Sequence, residues 1–228
     1  MLLGRQVDGL IIAPTAEKSD FFKNLKSSQI PIVFFDRSYA DFEADYVMID
    51  NFESSYRAVK HLIELGHQQI ALFTLSPEHI STIEEREKGY KAAILDAGFS
   101  EDDILAYKID HSSIKRDIRS ALDKLRDLAS KPTAIYTVNN QLTIQILSLI
   151  KENYSELSDL SILCFDDLDV FSFCEPTITA VRQPLSGIAD TSFSLLMNKL
   201  NQKNIKQSPV TKILNADLII RSSCKPRG

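Results

Sequence analysis

Polar side chains recur at one kind of place in this sequence, directly after a short apolar run. Asp36 and Arg37 follow FF, Asp50 and Asn51 follow VMI, and Ser76 to Arg86 come after IALFT. Asp110 and His111 follow YKI, Asn139 and Asn140 follow YTV, Asp166 and Asp167 follow ILCF, and Arg182 and Gln183 follow TAV. A carboxylate accepts hydrogen bonds from vicinal hydroxyls, an arginine donates through a planar fork, and an asparagine does both. Such a set suits a ligand rich in hydroxyls. Each residue taken alone reads first as a strand end or a helix cap. It is the recurrence at strand after strand that points to a binding site.

Reaction chemistry has less to stand on. The sequence contains neither a GxSxG elbow nor an HExxH pair, and its seven glycines form no GxGxxG or P-loop. His61, His67, His79 and His111 lie in unrelated contexts, with His61 inside a helical pattern and His67 just after a helix-ending glycine. Asp166, Asp167 and Asp169 lack the turn glycine and distal glutamate of a calcium loop. Cys164 lies within an apolar strand pattern, where a thiol is inert. The expectation is a binding protein with no catalytic role, no metal and no cofactor.

The elements that must position these residues alternate along the chain. Val7–Ala13, Ile32–Phe35, Tyr46–Ile49, Ile70–Thr74, Ile104–Ile109, Ala134–Val138, Ser161–Phe165 and Ile178–Val181 read as strands. Helical spacing predicts a helix carrying Phe21, Phe22 and Leu25, and another with Tyr56, Val59, Leu62 and Ile63, capped by Asp50–Asn51 and closed by Gly66. Further helices carry Ile83, Tyr90, Ile94 and Ala97, then the stripe Ile114, Ile118, Leu122, Leu125 and Leu128. Leu142–Ile150 and about Leu185–Leu200 complete the set. Continuous apolar strands separated by single helices imply parallel strands covered on both faces, a doubly wound α/β fold.

Composition narrows the setting. The 228 residues carry 26 basic and 31 acidic side chains, a formal net charge of −5, with 44% hydrophobic content. An acidic chain without a long basic run is poorly suited to gripping a phosphate backbone by itself. No apolar run is long enough to span a bilayer, and the opening MLLGRQVDGLIIAP does not read as a signal peptide. Three widely spaced cysteines suggest a reducing compartment, hence the cytoplasm.

The order of motifs resembles the effector-binding core of LacI-type (lactose/galactose repressor) transcriptional regulators. The segments are VDGLIIAP at Val7, PIVFFDR at Pro31, VMIDN at Val47, AVKHLIELGHQQIAL at Ala58 and REKGYKAAILDAG at Arg86. KPTAIYTVNNQLTIQIL at Lys131, LSILCFDDLD at Leu160 and PTITAVRQPLSGIA at Pro176 follow in the family's order. The resemblance implies two doubly wound parallel-sheet subdomains of the periplasmic binding protein type, with an effector held in the cleft between them. Residues 1–50 and 183–213 map to an N-terminal subdomain, here incomplete, and residues 51–182 and 214–228 to a C-terminal one. It further implies ligand contacts at Asp36, Thr82, Arg86, His111, Asn139, Asp166 and Gln183, with Arg86 and Asp166 foremost. Homodimers are expected, pairing through Leu142–Ile150 and Asp169–Phe173. The edge of the strand Val7–Ala13 is a second expected pairing site.

The chain departs from the family pattern at Asn140, where an aspartate is usual, and at Cys164 and Ser54, where glycines are usual. The helix-turn-helix headpiece that binds operator DNA in such regulators has no counterpart in this sequence, so DNA contact is expected only through that missing part. A stand-alone periplasmic-type sugar-binding protein of a transport system is the alternative reading.

Overall fold

Runs such as IALF, AIYT and SILCF have no polar side to turn to water, so they are stable only where both faces of a sheet are covered. The computed structural model describes residues 7–15, 20, 22, 30–39, 41–76, 81–201 and 208–227. The opening MLLGRQ lies outside these, as does His79; of the expected helix carrying Phe21, Phe22 and Leu25, only Asp20 and Phe22 fall within them. The chain divides into two compact units, one of residues 1–50, 79–82 and 184–215, the other of residues 51–78, 83–183 and 216–228.

The first unit is built on a parallel sheet of β1 (Leu10–Ile12), β2 (Ile32–Phe35), β3 (Asp45–Ile49) and β9 (Thr211–Leu214), in the order β1-β2-β3-β9. The first strand is shorter than the Val7–Ala13 run, because only Leu10–Ile12 has a neighbour to pair with in β2. Phe22, Phe34, Phe42 and Tyr46 form its aromatic core, with Phe34 stacked on Tyr46 at 5.5 Å. The Tyr46 hydroxyl donates to the Phe42 carbonyl at 2.7 Å, so the phenol is buried without losing its polar partner.

Helix α5 (Leu185–Asn201) packs on this sheet. Asp45 is buried at the start of β3, where it accepts from the Val210 backbone and pairs with Lys199 of α5. One carboxylate thus ties β3, β9 and α5 together.

The second unit holds a sheet of six strands ordered β10-β8-β7-β6-β4-β5. Its members are β4 (Ile70–Ser76), β5 (Leu105–Asp110), β6 (Ala134–Thr137), β7 (Ser161–Phe165), β8 (Thr179–Arg182) and β10 (Asp217–Ile219). All pairings are parallel except that of β10 with β8, a closing edge that the continuous-run argument did not distinguish. The central strands are buried throughout, whereas edge strand β5 alternates and shows Ala106 and Lys108 to solvent.

Its helices are α1 (Asn51–Glu64), α2 (Ser81–Asp96, whose first two residues are grouped with the first unit), α3 (Ile114–Asp127) and α4 (Asn140–Asn153). Helix α1 ends as its sequence predicts: Gly66 adopts φ +88°, and the His67 amide reaches back to the Leu62 carbonyl. The predicted stripe of α3 is buried at Ile118, Leu122 and Leu125. No helix among the described residues is long and apolar enough to cross a membrane.

Candidate functional site

Strand order reverses where β6 lies beside β4: from β4 the chain crosses to β5 on one side, while β6 leads away to β7 and β8 on the other. Ligands of open α/β sheets bind at such a point, beyond the carboxyl ends of the strands. Arg86 occupies it. Its Nη1 donates to the Val138 carbonyl at 2.7 Å, directly past the end of β6, and to Asp166 Oδ2 at 3.0 Å, directly past β7. Its Nε donates to Asn51 Oδ1 at 2.8 Å, and its guanidinium lies 3.7 Å from the centre of the Phe165 ring. Arg86 is only 3% exposed, so each of these contacts works in a weakly screened environment.

The REKGY motif explains how an arginine reaches that depth. Gly89 lies one turn beyond Arg86, and a Cβ there would collide with the Phe52 carbonyl oxygen and the Ser55 side chain. Glycine therefore lets α2 approach the backbone of α1 closely. Tyr90 then pins the helix to the sheet, its hydroxyl donating to the Ile70 carbonyl at 2.7 Å and accepting from the Leu105 amide. Helix α1 is fixed in turn by a hydrogen bond between Ser55 and the buried Tyr136 hydroxyl. Burial pushes both phenols well above their ordinary pKa, which keeps them neutral.

Asp166 is held in the left-handed region, with φ +71°, an uncommon conformation for a residue other than glycine. The turn aims its carboxylate at Arg86, and its second oxygen accepts from Gln183 Nε2 beyond β8. Asp167 points elsewhere and is almost fully buried, paired with Arg221 and Arg182. Burial raises its pKa, but hydrogen bonds from Arg221 and Arg182 more than offset this and leave it below the usual carboxylate value.

The sequence-expected residues distribute as follows. Arg86, Asp166 and Gln183 form one hydrogen-bonded chain. Asn139 is next to the Val138 carbonyl that Arg86 grips, but its side-chain oxygen accepts from the Leu142 amide and caps α4, as the capping alternative held. His111 is exposed at the end of edge strand β5, on the far side of β4 from the Arg86 contacts. Asp36 and Thr82 belong to the first unit. There Asp36, also at φ +71°, faces Arg37 Nε at 3.5 Å, and Thr82 is buried.

Two contributors were missed as site residues. Asn51, one of the polar residues that follow the strands, was read with Asp50 as a helix cap and not named as a ligand contact, yet its side-chain oxygen accepts from Arg86. Phe165 was read only as the end of a buried strand, and it supplies the face beneath the guanidinium. Of the departures, Ser54 is buried with no partner for its hydroxyl among the described residues. Burial pushes the Cys164 thiol up to about 12, so it stays un-ionised. His67 is buried between Thr133 and the Lys225 carbonyl, a packing role.

Comparison with known proteins agrees with this architecture. The model of the periplasmic binding protein-like domain matches residues 59–224. The regulator EndR of Paenibacillus polymyxa ("Probable HTH-type transcriptional regulator") is 31% identical over 96% of this chain and 64% of its own length. A LacI family transcriptional regulator from Enterococcus faecium, solved with bound ribose, superposes with a TM-score of 0.86 at 27% identity, over 100% of this chain and 82% of that one. The structure of a complex of the transcriptional regulator CelR with cellobiose gives 0.82 at 26% identity, over 97% and 67%.

This chain therefore belongs to the periplasmic binding protein-like domain family. The likeness to LacI-type regulators expected from its motifs extends over the whole of it. It spans just under two thirds of the length of the curated regulators it matches first, 64% to 66%.

Proposed function

We propose that this chain is the effector-binding core of a LacI-type transcriptional regulator, and that its effector is a sugar or sugar derivative. In this reading Asp36, Thr82, Arg86, His111, Asn139, Asp166 and Gln183 contact the effector. The two compact units correspond to the N-terminal and C-terminal subdomains. The protein acts in the cytoplasm without catalysing a reaction, and effector binding alters operator affinity by linkage. One observation carries the proposal: an arginine and an aspartate, joined to a glutamine amide, converge at the sheet's switch point and offer paired donors and acceptors to hydroxyls. The sugars bound by the similar regulators support it.

The test is a thermal-shift screen of the 228-residue chain against mono- and disaccharides, their phosphates, nucleosides and purines. A ligand that binds only the folded state at 100 times its Kd adds about 2.7 kcal/mol of stability. The expected result is a raised midpoint for a sugar, abolished in Asp166→Ala. A response confined to nucleosides or purines would contradict the sugar assignment.

Homodimerisation through the second unit belongs to the same reading. Val170, within the short 3-10 segment Asp169–Ser172, and Phe173, directly after it, are exposed, and Ile144 is exposed on α4. Light scattering on wild type and Phe173→Glu checks this. A dimer that becomes monomeric is expected, and a wild-type monomer at high concentration would refute it.

A further inference from the structure

Arginine recognises phosphates and carboxylates through a fork, two parallel hydrogen bonds from adjacent nitrogens. Arg86 has no such edge left. Nε is occupied by Asn51, Nη1 is occupied by both the Val138 carbonyl and Asp166, and one face of the group is covered by Phe165. The Nη2 amino group alone has no protein partner among the described residues. Every two-nitrogen edge of the guanidinium includes Nε or Nη1, so each edge is already half used.

Its charge is matched as well. Asp166 forms an ion pair with Arg86 at 3.0 Å, and the other Asp166 oxygen takes the Gln183 amide. An anionic group brought to Nη2 would meet a neutralised arginine and a neighbouring carboxylate, and like charges brought together at such a place repel. A hydroxyl meets neither obstacle, since it accepts from Nη2 while donating to a carboxylate lone pair.

We infer that Asn51 is a positioning residue that, by holding Arg86 Nε, restricts this site to uncharged hydroxyl groups and excludes phosphorylated and carboxylate effectors. Asn51 suits the task because it is itself 1% exposed, at the first turn of α1, and that helix is locked to α2 at Gly89. The inference rests on the effector-binding reading and narrows it from sugars and their derivatives to neutral ones.

Calorimetric titration of the 228-residue chain tests it with ribose, glucose, galactose and cellobiose against ribose 5-phosphate, glucose 6-phosphate, ribonate and gluconate. A neutral sugar is expected to bind at least ~30-fold more tightly than its own phosphate or aldonate. Asn51→Leu, which removes the acceptor, should weaken that sugar by about 10-fold or more. Asn51→Asp, which keeps an acceptor for Nε, should retain the affinity.

Arginine side-chain nitrogen NMR on the ligand-free chain supplies a readout that a general structural defect would not mimic. A slowly exchanging Arg86 Nε–H is expected in wild type and Asn51→Asp, and its loss in Asn51→Leu. A phosphate or aldonate that binds as tightly as its neutral parent overturns the inference and leaves the effector reading standing. Full affinity in Asn51→Leu overturns the role of Asn51. Binding of no compound, neutral or charged, overturns the inference and the effector reading together.

Discussion

The two units each contain a strand that ends in Phe followed by an aspartate at φ +71°: Phe35–Asp36 after β2 and Phe165–Asp166 after β7. The backbone device is the same and the electrostatics differ. Asp36 faces its own neighbour Arg37 at 3.5 Å, both side chains being roughly a third exposed, 34% and 28%. Asp166 faces an arginine that comes from eighty residues away in sequence and is buried, within a network that also holds Asn51, Val138, Phe165 and Gln183. A turn can aim a carboxylate, but burial and long-range partners decide whether the aim has energetic weight.

Substitutions should separate the two turns on a graded scale. Arg86→Leu removes the buried partner of Asp166 and leaves that carboxylate uncompensated, so urea unfolding should show a loss of about 3 kcal/mol. Gly89→Ala forces a methyl group against the Phe52 carbonyl, and about 2 kcal/mol is expected from the same measurement. A smaller effect, about 1.5 kcal/mol at neutral pH, is expected for Asp167→Asn, which weakens charge-assisted bonds to Arg221 and Arg182.

That last variant also carries a pH signature. The Asp167 pKa is depressed in the folded state, so its contribution is complete above the unfolded value of about 3.9 and is lost as pH falls through the lower folded value. The stability gap between wild type and Asp167→Asn should therefore be constant near neutrality and close below about pH 4. Arg37→Ala, at the half-buried turn, should change stability by no more than about 0.5 kcal/mol. A loss at Arg37 equal to that at Arg86 would show that the turn itself, and not its surroundings, sets the energy.

The same contrast explains what could be read from the sequence. Strands β2, β4, β6 and β7 were legible because burial on both faces leaves an unbroken apolar run that needs no knowledge of its neighbours. Their carboxyl ends were legible too, since Asp, Asn and Arg stand out against those runs. Arg86 was singled out with Asp166, and the structure joins them.

The bond from Arg86 to Asn51 was not legible, because the two lie thirty-five residues apart on different helices and no periodicity encodes it. Asn51 had a sufficient local explanation as a cap, which hid its tertiary one. The antiparallel edge β10 escaped for a related reason: a three-residue strand is specified by its partner β8 more than by its own sequence.

A crystal structure of this chain with the neutral sugar that gives the largest thermal shift would show directly where the effector sits. A sugar hydroxyl is expected within hydrogen-bond distance of both Arg86 Nη2 and the Asp166 carboxylate, with the Arg86–Asn51 bond intact. An ordered sugar held elsewhere in the chain, with Arg86 and Asp166 paired only to each other, would contradict this expectation.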